Sequence, residues 1–271
     1  MTEPAGLFRM FDRYDVLARI TPGLLAPLVP AFSLLVAFPQ IVTENIYRAI
    51  GSGVVMVGLF YLFAGLARSR GRAVQQTLRQ RWGGFPTEIV LRFRDATIEM
   101  PTKCAYHAAL QDLAPDFRLP DASAEAHDPD AADGLYRAVI RRLIDLRRGP
   151  KYPLILNDNI AYGFWRNLLG MKGLALVLAG CASAAIVLAR TVQATTGDAS
   201  IWAAVRATPA TQVAGVALLI LWAAFLLIIV RPPRVWDAGV AYAERLLASL
   251  PPPSTPKPNS RAPKGEAKGT H

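Results

Sequence analysis

The sequence predicts a mainly α-helical membrane protein: a four-helix transmembrane bundle of two helical hairpins, with a small, mostly helical cytosolic domain inserted between helices 2 and 3. Three observations carry this. Four stretches, Ile20–Thr43, Ala49–Ala67, Gly173–Ala189 and Ala207–Val230, contain no Asp, Glu, Lys, Arg or His. Each approaches the ~20 apolar residues that a helix needs to cross a hydrocarbon layer of ~30 Å. The stretches form two pairs around an arginine-rich middle, and basic residues are distributed very unevenly among the loops. Of the 30 Lys and Arg residues, only Arg48, Arg190 and Arg206 fall in the loops within the two pairs. Positive residues accumulate on the cytoplasmic side, which places the amino terminus, the central region and the carboxyl tail inside.

The resulting organisation is an interfacial helix at 1–19 and a first hairpin at 20–67, with spans of about 20–43 and 49–67. A cytosolic domain at 68–167 and a second hairpin at 168–230, with spans of about 168–190 and 207–230, follow. A cytosolic amphipathic helix at 231–250 and a tail at 251–271 complete it. Roughly 100 residues can bury a small core, so the middle region forms one compact domain. A mean hydropathy of +0.27 reflects apolar residues concentrated in the four blocks. The net charge of +10 would point to nucleic acid in a soluble protein. Here its distribution marks orientation instead, and no nucleic acid partner is expected.

Residues 7–19 set Leu7, Phe8, Phe11 and Tyr14 on one side at helical spacing, fitting a helix in the headgroup region or one packed on the domain. Span one contains Pro22, Pro27, Pro30 and Pro39, which remove backbone donors. The freed carbonyls must be met by neighbouring helices or water. The turn at Glu44–Arg48 is short and holds an acid–base pair four residues apart. Gly51, Gly53, Gly58 and Gly65 in span two, and the pairs Ala179/Ser183 and Gly180/Ala184 in span three, would let helices approach closely, in a packed bundle or a homo-oligomer. Span four is bulkier and is expected to face lipid.

Span two should continue into water and stop at Gly83-Gly84 and Pro86. Thr87–Phe93 has the β-branched, partly alternating look of a strand, and Thr102–Asp112 reads as a helix. Asp121–Asp133 reads as a polar loop. Asp133 would cap a helix over Leu135–Arg148 with an apolar stripe of Leu135, Val139, Leu143 and Leu146. Asn157 or Asn159 would cap a helix leading into span three, where Tyr162, Phe164 and Trp165 suit a membrane boundary. The Pro-rich basic tail should be disordered.

Candidate chemistry is sparse. Cys104 and His107 stand one helical turn apart, the spacing of two metal ligands or of a nucleophile and its base. The bland alternative is a buried cysteine beside a hydrogen-bonded histidine. Asp95, Glu99 and Lys103 recur every four residues, in a pattern that departs from metal-dependent nucleases because Pro101 intervenes. No metal site or cofactor is expected. Cys104 and Cys181 share no oxidising compartment, so no disulfide is expected. Arg137, Arg141, Arg142, Arg147 and Arg148 on one amphipathic helix, with Arg68, Arg70, Arg72, Arg79 and Arg81 below span two, could hold anionic lipid headgroups or a phosphorylated ligand. They could equally be orienting charge paired with Asp112, Asp116 and the acidic loop.

The segments PTEIVLRFRDATIEMPTKCAYHAAL and ILNDNIAYGFWRNLLGMK resemble stretches of an uncharacterised family of bacterial multi-pass membrane proteins. The resemblance covers Thr87–Lys172, implies the bacterial inner (cytoplasmic) membrane, and assigns no catalytic role. In layout, the chain is also similar to membrane effectors of bacterial stress or anti-phage systems. The function expected is non-enzymatic: a basic cytosolic domain docks a cytosolic protein or a ligand and couples it to the bundle. A membrane-anchored enzyme and a small transporter or channel subunit are the alternatives, the latter disfavoured because uncharged spans offer no ion relay.

Overall fold

The computed structural model describes residues 13–40, 53–149, 151–196 and 201–252, and every regular element among them is helical. In chain order these are α1 (Arg13–Ala37), α2 (Gly53–Trp82), α3 (Pro86–Ile89), α4 (Met100–Leu113), α5 (Ala122–His127), α6 (Pro129–Leu146), α7 (Pro153–Thr196), α8 (Ile201–Arg206), α9 (Ala210–Ile228) and α10 (Pro232–Leu247). Among the described residues α1, α7 and α9 are long and apolar enough to cross a membrane. Residues 41–43 of span one, the turn at Glu44–Arg48, residues 49–52 of span two, the amino-terminal helix up to residue 12 and the tail from residue 253 lie outside the described residues.

Helix α1 keeps its course through Pro27 and Pro30. Its start is wider than an α-helix: Val16–Ile20 form a π turn, and Thr21 bonds back to the Val16 carbonyl through both its N–H and its Oγ1. Pro22 follows, with no N–H to offer the Ala18 carbonyl one turn back. Asn167 of α7 supplies the missing donor, its Nδ2 lying 2.5 Å from that oxygen. A neighbouring helix thus meets a freed carbonyl, as a proline in an apolar helix requires.

The helices pack through small residues, but largely not the ones the spacing suggested. Gly58 and Gly65 have open space where a Cβ would stand, as does Gly180. The close approach lies further along, where a Cβ on Gly71 would fall 1.8 Å from Asn167 Oδ1 and one on Gly170 would fall 2.8 Å from the Arg70 backbone. Ala175, Ala179 and Ala182 of α7 join Leu168, Met171, Leu219, Trp222 and Leu226 in the bundle core. Helix α9 does not simply face lipid. It buries Gln212, Gly215, Leu219, Trp222 and Leu226 on one face and leaves Ile220, Leu221 and Ile228 outward.

Three contacts fix a common level at one end of this bundle. Asn167 meets Ala18, Gly170 meets Arg70, and Lys172 Nζ donates to the Val230 carbonyl at 3.1 Å. The charge-free parts of α1, α2, α7 and α9 all lie to one side of it. Arg68, Arg70, Arg72, Arg231 and Arg234 sit exposed at it or just beyond.

On the charged side, α2 ends at Gly83, whose φ of +76° and the Gly84 N–H bond to the Arg79 carbonyl (3.0 Å) make the left-handed stop that only glycine adopts freely. The strand expected over Thr87–Phe93 is absent. Pro86 opens the short helix α3, and Leu91, Arg92 and Asp95 close successive turns onto Glu88, Ile89 and Arg92. Alternation misled because this segment is buried all round: Val90 and Leu91 are fully enclosed and even Glu88 is only 4% exposed. A strand would have needed a partner to take up its backbone groups.

Helix α4 falls where the pattern placed it. The acidic loop is instead two helix starts, because Asp121 accepts from the Ala124 N–H (2.8 Å) and Asp128 from the Ala131 N–H (3.0 Å). These are N-caps, so α6 begins at Pro129 and Asp133 lies inside it rather than capping it. The buried stripe of α6 is Tyr136, Val139, Ile140 and Leu143, while Leu146 is exposed. Neither Asn157 nor Asn159 is a cap, since α7 already starts at Pro153. Helix α10 inserts Tyr242, Ala243, Leu246 and Leu247 into the same core as Val90, Leu91, Leu110 and Leu143.

Candidate functional site: a buried polar clasp and an arginine face

The turn after α3 leaves backbone groups at Leu91–Asp95 that no helix satisfies, and three buried side chains close around them. Lys103 is fully enclosed, and its Nζ donates to the Arg92 carbonyl at 2.6 Å and to the Asp95 carbonyl. His107 Nε2 lies 2.8 Å from the Leu91 carbonyl. A carbonyl oxygen only accepts, so this nitrogen carries the proton. From the other side, Glu125 accepts from the Phe93 N–H (2.8 Å), the Arg94 N–H (3.3 Å) and the Tyr136 hydroxyl (2.6 Å). Asp133 completes the set, accepting from Arg92 Nε and Nη2 at 2.8 and 2.7 Å and from Arg94 Nη2 at 3.1 Å. The same Arg92 Nη2 also donates to the Gly83 carbonyl at 2.6 Å, tying the clasp to the end of α2.

The electrostatics follow from this packing. Burial holds the His107 imidazole below its ordinary range, outweighing the Leu91 carbonyl and the Glu125 charge that favour the cation. Burial also pushes the Glu125 carboxyl up, but the Tyr136 hydroxyl, the two backbone N–H groups and the Arg94 guanidinium together bring it below the usual carboxylate range. The Tyr136 hydroxyl is driven well above its ordinary value by burial and by its bond to Glu125. At neutral pH the clasp therefore holds a neutral imidazole, a carboxylate and a phenol, each committed to a partner.

The residues singled out as candidate catalysts do not converge. Cys104 is exposed, whereas His107 is turned into the core between the Phe93 and Tyr136 rings, at centroid distances of 4.6 and 5.4 Å. Lys103 is spent on two carbonyls. Glu99 stands exposed where α4 begins, on a cavity of about 420 Å³ shared with Asp158, Glu244 and Arg245. Sequence reasoning missed Glu125, Tyr136, Arg92 and Asp133 as members of one network, because no spacing links residues 31 to 41 positions apart.

The arginine face divides. Arg147 is structural: it donates to Ser249 Oγ and to the Ser249 carbonyl, both at 3.1 Å, and lies over Tyr152. Arg137, Arg142 and Arg148 are exposed and make loose pairs with Glu88 (3.8 Å), Asp116 (3.4 Å) and Asp145 (3.5 Å). Arg141 is exposed and has no ion-pair or hydrogen-bond partner among the described residues. The Arg142 and Arg148 pairs are exposed on both sides and contribute only ~0–1 kcal/mol, so these guanidiniums can exchange one anion for another, whereas Arg137 pairs with the buried Glu88. Comparisons with protein-family models, with curated proteins and with solved structures give no match.

Proposed function

We propose that this chain is a four-span protein of the bacterial inner membrane, with the α3–α6 domain and both termini in the cytosol. It works without catalysis: the exposed arginines of α6 dock an anionic partner or ligand, and the event passes to the bundle. The observation that carries this reading is α7, one continuous helix of 44 residues. At ~1.5 Å per residue it is roughly 66 Å long, about twice a hydrocarbon layer. Its first turns pack against α10 in the charged half and its later turns form the bundle core. No hinge separates the two.

Of the four groups an enzyme could use, His107 and Lys103 are consumed in holding backbone, which leaves only Cys104 and Glu99 exposed. The level marked by Ala18, Arg70, Lys172 and Val230 supports the orientation, because exposed arginines gather there as they do at a cytoplasmic boundary.

Cys181 is exposed on the bundle section of α7, which gives a direct test. With Cys104→Ser, an environment-sensitive dye on Cys181 reports on the bundle of the full-length protein in lipid nanodiscs. Added pyrophosphate, a probe for bidentate guanidiniums, should change its emission. Arg141→Glu with Arg142→Glu should remove the response. No response in the parent protein, or an equal response in the charge-reversed one, would sink the proposal.

A further inference from the structure

The cavity of about 420 Å³ that holds Glu99 is walled by three parts of the charged half: the stretch leading into α4, the start of α7 and the outer face of α10. Its charge is unbalanced. Asp158 pairs with Arg245 at 3.1 Å, whereas the carboxylates of Glu99 and Glu244 have no ion-pair or hydrogen-bond partner among the described residues. Two uncompensated carboxylates in one concavity attract a cation. Beside them the buried Ile98 and the half-buried Tyr106 ring form an apolar wall, which suits the stem of a long basic side chain.

The chain supplies such a cation within reach. Ala248 closes the α10 end of the cavity, and the described residues end at Pro252, four positions later. Lys257 follows five positions after that. At no more than ~3.6 Å per residue, Pro252 lies at most ~14 Å from Ala248, while Lys257 can reach back up to ~18 Å. Pro253–Lys264 carries Lys257, Arg261 and Lys264 and no Asp or Glu, and Lys257 stands between Pro256 and Pro258. A tether this short gives an effective concentration of order millimolar, so even a weak site is filled.

We infer that this cavity is the docking site of the chain's own basic segment, Pro253–Lys264. The Lys257 ammonium faces the Glu99 and Glu244 carboxylates, and Pro256 and Pro258 lie against Tyr106 and Ile98, as proline-rich segments do on aromatic walls. Charge, reach and wall chemistry agree on this occupant. None of them requires α6 to bind an anion.

The test uses the full-length protein in mild detergent, as an equal mixture of unlabelled and heavy-nitrogen-labelled chains, joined by a zero-length carbodiimide and read by peptide mass spectrometry. Amides from Lys257 to Glu99 and to Glu244 are expected, within single chains. Their yield should fall between about 0.1 and 1 M salt, as the screening length shrinks from ~10 to ~3 Å. Glu244→Lys should lower the yield at Glu99 by about fivefold, the ratio that ~1 kcal/mol of lost surface pairing supplies. Ala241→Trp fills the cavity from an exposed position without altering its charge, and should lower the yield at both acids.

No such amides, or equal joining of Lys257 to the exposed Asp116 and Asp145, would overturn the inference. So would yields that neither Glu244→Lys nor Ala241→Trp reduces. Amides mainly between labelled and unlabelled chains would assign the cavity to a neighbour's tail, and the chain's own segment would be excluded as the occupant.

Discussion

Asn167 of α7 donates to the carbonyl of Ala18 at 2.5 Å, the oxygen that Pro22 deprives of its helical donor. Both groups are buried, and Asn167 Oδ1 accepts in turn from Arg166 Nε and Nη2 at 3.2 Å, while Arg166 Nη1 reaches Gln75 at 2.8 Å. One amide therefore joins α1, α2 and α7 at the boundary between apolar and charged halves. Asn167→Leu should cost about 1–3 kcal/mol, the usual penalty for orphaning a buried polar group, seen as a lower thermal midpoint in detergent. Pro22→Ala returns an N–H to α1. The cost of Asn167→Leu should shrink in that background, and a fully additive double mutant would contradict the assignment.

Lys103 and Cys104 are neighbours with opposite expected behaviour. Lys103→Met leaves the Arg92 and Asp95 carbonyls unmet in the core, a loss of about 3 kcal/mol for two bonds from a charged donor. Cys104→Ser changes an exposed group and should stay within ~0.5 kcal/mol. Denaturant midpoints of the two full-length variants decide it; equal midpoints would mean that the clasp does not hold the turn.

Stability should fall on both sides of neutrality, for reasons that can be signed. His107 is held below its ordinary value of 6.5 and Glu125 below its ordinary value of 4.5. For each, the unfolded chain takes up a proton first, so the stabilisation present above the ordinary value is lost as pH falls through the depressed one. Tyr136 is raised above 10.0, and Tyr242 from 10.0 to about 12. Their stabilisation is complete below 10.0 and is lost as pH rises toward the raised values. His107→Gln should flatten the decline that begins below pH 6.5, and Tyr136→Phe should reduce the one above pH 10.0. Thermal midpoints across the pH range check both; unchanged acid behaviour in His107→Gln would refute the first.

Glycines of α2 and α7 should respond differently to one added methyl. Gly65→Ala in α2 meets open space and gains helix propensity worth up to ~1 kcal/mol. Gly71→Ala drives a Cβ into Asn167, and Gly170→Ala drives one into the Arg70 backbone. Both should destabilise in detergent unfolding while Gly65→Ala does not, and a common sign for all three would disprove the crossing.

Much of the helical plan was legible because charge-free length and glycine stops are local signals. The Gly83-Gly84 stop of α2 is such a signal. The acidic stretch was misread because Asp121 and Asp128 are cap residues whose meaning depends on a helix following, and loop composition looks the same. The strand reading of Thr87–Phe93 failed because a segment buried on all sides shows the same residues as a half-buried strand. The clasp was out of reach for another reason. Lys103 and Glu125 have no apolar character to betray burial, and their partners are backbone groups, which sequence does not distinguish. Of the arginines, only contact with Ser249 separates Arg147 from the rest.

Tyr242, Ala243, Leu246 and Leu247 complete a core begun by Val90 and Leu91, with α7 and α9 lying between them in the chain. The domain is thus sealed by a plug that the ribosome delivers last of its parts. Val90, Leu91 and Leu143 must wait, unfinished, until both later apolar helices have been synthesised. A chain stopped after Ile228 would reach its destination with an open, sticky core, and quality control would meet it before any partner could.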